Sequence, residues 1–207
     1  VSEITFDILD PHLRPGYYSD MTLRTRTPER GLSKFYRLLL EQVGHEFTAS
    51  HQYFALAAWF DDRDLQQLAR VFYRQSLEER DHATMMVRYL LDNEVAPAIP
   101  GVGAIETEFG EPRELVALAL RQEQRVTDQI RELARVAREE NDYTGEQFLN
   151  WFLQEQVEEV ATMSTLLNIV ERAGGNLFDV ETWVAREMPD TAGEASGAPE
   201  TAGPSVS

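Results

Sequence analysis

The sequence predicts an all-α protein: a four-helix bundle with a long crossover between the second and third helices, plus a short fifth helix. Three observations lead there. Apolar residues recur every three to four positions through four stretches of about 28 residues, the period of a helix with one buried face. A helix-start signal precedes each stretch. The connections run short, long, short, which makes two antiparallel hairpins joined by one crossover.

Each element can be placed by its punctuation. Thr27-Pro28-Glu29 reads as an N-cap, a proline at the first helical position and an acid near the positive end of the helix dipole. The first helix then runs to about Phe60. Asp64-x-x-Gln67 is a capping-box pattern that opens the second, which reaches about Leu91. Gly110-Glu111-Pro112 opens the third, which runs to about Glu140. Thr144-x-x-Gln147 opens the fourth, which ends near Gly174-Gly175-Asn176, a glycine-type helix terminus. Leu177 to Glu187 makes the fifth. The long connection, about Asp92 to Gly110, holds Pro97, Pro100, Gly101 and Gly103. At up to ~3.3 Å per residue it can cross a helix of roughly 42 Å and start the third helix parallel to the second.

Flanking these elements are an irregular N-terminal extension (residues 1–26) and a proline- and glycine-rich acidic tail (188–207) around one helical domain (27–187). The tail has almost no large apolar residue, so it is expected to be disordered: too little surface is buried to offset ordering entropy. Among 207 residues, 19 are Lys or Arg and 36 are Asp or Glu, a net charge of −17. Such a surface repels nucleic acid and anionic membranes and attracts cations. With no cysteine, disulfides, thiolate metal sites and iron–sulfur clusters are excluded. Any metal must be held by oxygen and imidazole, a donor set that suits iron, manganese or zinc. The longest apolar run, Phe54 to Phe60, is far short of a membrane span. No basic region followed by an apolar stretch opens the chain, so a cytoplasmic protein is expected.

Polar residues interrupt the buried faces where the period demands apolar ones. The second-helix row reads Leu65, Leu68, Phe72, Gln75, Glu79, His82, Met86, Tyr89. The first reads Phe35, Leu39, Val43, Glu46, Ser50, Tyr53, Ala57; the third, Val116, Leu120, Glu123, Thr127, Ile130, Ala134. In the fourth, Phe148 and Phe152 are followed by Glu155 or Gln156, then Glu159, Met163, Leu166 and Val170. Each helix thus carries a carboxylate near its midpoint, facing inward. Four buried carboxylates would repel one another strongly unless they are protonated or share cations. Arg80 and Arg125 lie off the stripe and offer no compensation. A two-cation centre answers the problem, as in di-iron and di-manganese carboxylate bundles. His12, His45 and His51 are read as surface or structural residues.

Several motifs carry a family resemblance: Glu46-Phe47-Thr48-Ala49 with Tyr53, Glu78-Glu79-Arg80-Asp81-His82, Gln122-Glu123-Gln124, and Trp151 through Glu159. Over about residues 30–187 the chain resembles prokaryotic non-haem ferritins, most closely the actinobacterial branch often labelled bacterioferritin B. The resemblance implies a ferritin-like fold, a homo-oligomeric shell of 24 subunits, Fe(II) oxidation by dioxygen or peroxide, and storage of ferric mineral. It implies that Glu46, Glu79 and His82 bind a first iron, with Glu79 bridging. Glu123 and Glu159 would bind a second, with Gln156 beside it. Glu78, Glu155 and Glu158, together with Glu159, match an accessory third-iron site. Tyr53 matches an electron-donating tyrosine, and Trp151 a nearby aromatic. The fifth helix would line a fourfold axis. Three rivals fit less well: a DNA-protecting mini-ferritin often has a basic tail, a rubrerythrin-like peroxidase usually has a cysteine-bearing partner domain, and the intact ligand set argues against a structural shell subunit without catalysis.

Two departures concern haem. Haem-binding bacterioferritins carry methionine directly after the bridging glutamate of the second helix, where this chain has Arg80. They also repeat Glu-x-x-His on the fourth helix, where Thr162 stands three residues after Glu159. Haem is therefore expected to be absent. Protein produced with haem supplied should show no Soret band; a stoichiometric low-spin haem spectrum would overturn this.

Overall fold

Five helices make up the fold of the computed structural model, which describes residues 31–188 and 197–203: α1 (Lys34–Asp61), α2 (Gln66–Asp92), α3 (Pro112–Glu139), α4 (Tyr143–Arg172) and α5 (Leu177–Glu187). The helix count, the short–long–short connections and the bounds of α5 match the sequence expectation. The starts of α2 and α4 differ, and the reason is physical.

The first helix begins behind Ser33, whose hydroxyl accepts from the Tyr36 N–H; the expected start at Thr27-Pro28-Glu29 lies outside the described residues. Two more of its free N–H groups are satisfied from far away: the Glu140 carboxylate at the end of α3 accepts from Lys34 N (2.9 Å) and Phe35 N (3.0 Å). In α2 the expected Asp64/Gln67 capping box is absent. Asp64 takes a positive φ of 59° in the turn, and Leu65 at the cap position has no side-chain acceptor. The acceptor comes instead from α5: Glu181 receives Gln67 N and Leu68 N, each at 2.8 Å. The fourth helix starts at Asp142, which accepts from Gly145 N at 2.8 Å, rather than at Thr144. Only α3 uses the expected local device, with Pro112 in its first turn and a reciprocal Glu111/Glu114 capping box.

The crossover, residues 93–111, is pinned along α1. Pro100 lies where a side chain at Gly44 would have to go. Gly103 N donates to Thr48 Oγ1 (3.0 Å), and Gln52 pairs in both directions with the Glu106 backbone at 2.8 Å. Both series rise together (44, 48, 52 against 100, 103, 106), so the loop runs parallel to α1. It therefore returns to the end where α2 began, and α3 starts parallel to α2.

The apolar interior is split into two clusters. One contains Tyr53, Phe60, Phe72, Leu115, Met163 and Leu166 and is closed by Val180 and Val184 of α5. The other contains Phe35, Leu39, Met86, Leu90, Ile130, Leu149 and Phe152. Of the tail expected to be disordered, residues 197–203 are described beyond Met188. There the Ala202 N–H donates to the Thr84 carbonyl at 3.1 Å and Ala202 packs against the second cluster. Residues 189–196 and 204–207 lie outside the described part.

Replacing Glu181 by Ala removes both acceptors at the start of α2. A cap of this kind contributes about 1 kcal/mol, and here it also tethers α5. Amides in the first turn of α2 and throughout α5 should lose hydrogen-exchange protection together. Glu171→Ala, which removes only an exposed pair with Arg113, should leave them unchanged.

Candidate metal centre

Between the two apolar clusters lies a polar belt. Glu46, Glu79, His82, Glu123, Gln156 and Glu159 are all at most 7% exposed. They come from α1, α2, α3 and α4, at the midpoints where each apolar stripe is interrupted. On α4 the sequence left Glu155 and Gln156 as alternatives; Gln156 faces inward and Glu155 is half-buried. The arginines noted beside the stripe, Arg80 and Arg125, are exposed, as are His45 and His51; His12 lies outside the described residues.

Three of the expected ligands converge: ligating atoms of Glu46, Glu79 and His82 all lie within 4.8 Å of one another. His82 Nδ1 is 3.3 Å from Glu79 Oε2. Across the belt, the Tyr53 hydroxyl donates to Glu123 Oε1, and Gln156 Nε2 reaches Glu123 Oε2 at 3.4 Å. The Thr127 hydroxyl lies 2.8 Å from the Glu123 carbonyl and 2.9 Å from Gln156 Oε1. Gln75 Nε2 donates to Glu159 Oε2 at 3.0 Å. Gln42 Nε2 donates to Glu46 Oε1 at 3.0 Å and also faces Gln129 Oε1 at 3.2 Å. Gln42, Gln75 and Gln129 were not assigned from sequence. The available signal was spacing: Gln42 and Gln75 precede Glu46 and Glu79 by one turn on the same face.

Electrostatics mark the belt as incomplete. Among the described residues, Glu46 Oε2 and Glu79 Oε1 are buried with no hydrogen-bond partner, a costly state for a carboxylate. Burial raises the pKa of Glu46 to about 7, despite hydrogen bonds that act the other way. Glu79 and Glu159 are pushed well up, first by burial and then by the neighbouring carboxylates, Glu123 above all. Glu123 is raised by burial too. His82 moves oppositely: burial lowers it to about 4, so it is neutral near pH 7, the form that ligates a metal. Tyr53 is raised well above the usual phenol by burial and by Glu123, and keeps its proton.

The residues expected at an accessory site lie at the rim of the belt. Glu78 is half-buried, Glu155 half-buried and Glu158 exposed. Glu155 is raised by burial and then by Glu158 and Glu78, and Glu159 feels Glu78 and Glu155. These four carboxylates therefore share one electrostatic neighbourhood. Arg74, 3.9 Å from Glu78, offsets part of it.

The shifts fix a pH dependence for metal-free protein. A carboxyl whose pKa is raised on folding stabilises the fold below its unfolded value and loses that contribution as pH rises through the folded value. A histidine whose pKa is lowered contributes above its unfolded value and loses it as pH falls. Above about pH 6.5 the carboxyls dominate, so the melting midpoint of metal-free protein should fall between about pH 6.5 and 8. Glu46→Gln should flatten that slope, and a redox-inert divalent cation such as Zn(II) should restore most stability at the alkaline end. A midpoint rising over that range, or indifferent to the substitution, would contradict the assignment.

Known proteins share both the sequence and the architecture. The ferritin-like domain family matches residues 36–173. Over 171 residues the chain is 55% identical to Ferritin BfrB of Mycobacterium tuberculosis, covering 83% of this chain and 94% of that protein. It is 56% identical to Ferritin BfrB of Mycolicibacterium smegmatis over the same shares. Against a bacterial non-heme ferritin of Staphylococcus aureus it is 38% identical over 136 residues, 66% of this chain and 82% of that one. An open-pore ferritin from Archaeoglobus fulgidus shares the fold with a TM-score of 0.72 at 24% identity, covering 75% of this chain and 96% of that chain. An interior belt of glutamates with one histidine, carried on four helices with a long crossover, thus occurs here in a chain that belongs to the ferritin family.

Proposed function

We propose that this chain is a ferroxidase subunit of an iron store: it oxidises Fe(II) at a two-iron centre within its own bundle and deposits ferric mineral inside a homo-oligomeric shell of 24 subunits. One observation carries the reading. Four buried carboxylates from all four long helices act on one another electrostatically, Glu46 and Glu79 bring ligating atoms within 4.8 Å of the neutral His82, and two carboxylate oxygens have no hydrogen-bond partner among the described residues.

Glu46, Glu79 and His82 hold the first iron, and Glu79 also reaches the second, which Glu123 and Glu159 hold beside Gln156. Reducing dioxygen to hydrogen peroxide takes two electrons, and two Fe(II) supply one each, so a paired site avoids releasing a one-electron product. Hard carboxylate oxygens favour Fe(III) over Fe(II) and so favour oxidation. His82 retains affinity for Fe(II) at the first site, while the all-oxygen second site releases product more readily. Gln42 and Gln75 each fix one oxygen of a ligating carboxylate and leave the other for metal, as the partners behind metal ligands do. Tyr53, protonated and donating to Glu123, sits where it can give up an electron. Glu78, Glu155 and Glu158 bind a third, accessory iron at the rim. The −17 charge raises the local concentration of Fe(II). The protein works in the cytoplasm without haem; among the described residues, no helix is long and apolar enough to cross a membrane.

Substitution at the belt separates chemistry from folding. Glu79→Ala and His82→Ala should leave metal-free stability unchanged or raised, because each relieves repulsion or polar burial. Rapid Fe(II) oxidation should fall at least about tenfold, since loss of even a partner behind a ligand costs that much. Stopped-flow absorbance after mixing two Fe(II) per subunit with dioxygen, beside melts of metal-free protein, measures both. Oxidation at the unmodified rate in both variants would end the assignment; lost stability with unchanged oxidation would identify a polar core.

A further inference from the structure

From the belt, an unbroken series of aromatic rings leads toward one end of the bundle. The Trp151 ring meets His82 edge-on, with centroids 5.6 Å apart, and Phe152 lies 4.9 Å from Trp151. Phe148 follows at 5.2 Å from Phe152, and Tyr89 stacks on Phe148 at 4.2 Å. Beyond Tyr89, Phe35 at 6.4 Å leads to Tyr36 at 5.3 Å. We propose that the rings from Trp151 through Phe152 and Phe148 to Tyr89 and Tyr36 carry an oxidising equivalent away from the iron site to this pair of tyrosines. The inference rests on the two-iron reading above.

Packing accounts for the phenylalanines but not for the series as a whole. The Tyr89 hydroxyl is buried, and Tyr36 and Thr144 lie close enough to act on it through hydrogen bonding. Phenylalanine would fill the same space without the cost of burying a hydroxyl. The two ends of the series hold the oxidisable groups: an indole against the ligand and two phenols at the far end, with phenylalanines as the contact between them. The chain has no cysteine to take this role. Burial raises both phenols; Tyr89 raises Tyr36 further, hydrogen bonds from Thr144 and Tyr36 act the other way on Tyr89, and the Asp142 carboxylate is close enough to raise both.

The need arises when peroxide meets a site holding a single Fe(II). One electron from iron splits the O–O bond into hydroxide and a hydroxyl-radical equivalent beside His82. Trp151 supplies the missing electron, and its indole is refilled through the series from Tyr89 and Tyr36. The phenol that ends up oxidised releases its proton toward Asp142 and from there to water. The sum is Fe(II) + H2O2 + TyrOH → Fe(III) + OH− + H2O + TyrO•, balanced in atoms and charge. At neutral pH a phenol losing an electron and a proton together is easier to oxidise than an indole losing an electron alone, so the equivalent moves outward.

The test uses the assembled full-length protein carrying Tyr53→Phe, which silences the tyrosine bonded to Glu123. One Fe(II) per subunit is mixed with excess hydrogen peroxide, freeze-quenched and examined by electron paramagnetic resonance, with ring-deuterated tyrosine separating phenoxyl from indole signals. A phenoxyl radical is expected that disappears in the Tyr36→Phe/Tyr89→Phe double variant and leaves an indole signal. Those two changes keep every ring in place and should leave two-iron oxidation by dioxygen unchanged in otherwise unmodified protein. A phenoxyl signal that survives the double change, or none before it, overturns the proposal. Two-iron oxidation is measured on the same preparations. If it is present while the radical result fails, only the path falls; if it is absent, the ferroxidase reading falls and the path with it.

Discussion

Four carboxylates buried at one level of a helix bundle, with no buried lysine or arginine among the described residues to meet them, are the constraint on which the rest of the structure depends. A carboxylate in such a place must find a cation or keep its proton. Burial raises Glu46, Glu79, Glu123 and Glu159 toward the second outcome, and His82, neutral and adjacent, supplies a nitrogen donor that favours the first, a shared metal cation. The two apolar clusters on either side hold the helices together where the belt cannot. Stability and chemistry are therefore divided along the bundle axis: packing at both ends, charge in the middle.

That division demands accurate placement along the helix axes, and the means are long-range. Glu140, at the end of α3, caps α1, and Glu181 of α5 caps α2. The crossover meets α1 at Gly44, Thr48 and Gln52. At Gly145 the Phe35 ring occupies the space of a side chain, which seats the start of α4 against the start of α1. Each contact joins elements far apart in the chain and fixes how far one helix can slide past another.

These same contacts explain what could be read in the sequence. The helix count, the crossover and the inward placement of Glu46, Glu79, His82, Glu123 and Glu159 followed from periodicity, because a polar residue in the middle of an apolar stripe is visible without neighbours. Glu79 and His82, three apart, share a face in any helix. Two helix starts were misplaced because Asp64 and Thr144 look like caps locally, whereas Glu181 and Asp142 do the capping; the part played by Glu181, like that of Glu140 at α1, is revealed only in three dimensions. Gln42 and Gln75 escaped for a similar cause, since a glutamine beside a glutamate on a helix is usually a solvated pair. The contact of Ala202 with Thr84 leaves no pattern at all.

The crossover's matched steps along α1 also limit how sequences of this architecture can change in length. One residue added within α1 between Gly44 and Gln52 rotates everything beyond it by about 100° and advances it by ~1.5 Å. Glu46 and Tyr53 would then part from each other's face of the bundle, and the loop would lose step with the helix it follows. A residue added in α2 between Gln75 and His82 has the same effect on the belt. Insertions and deletions should accumulate instead at the turn from Asp62 to Leu65, at the turn from Glu140 to Asp142, and beyond α5. In a set of related chains, helix lengths measured from belt to turn would stay constant while residue identities drift, a record of distance kept more strictly than composition.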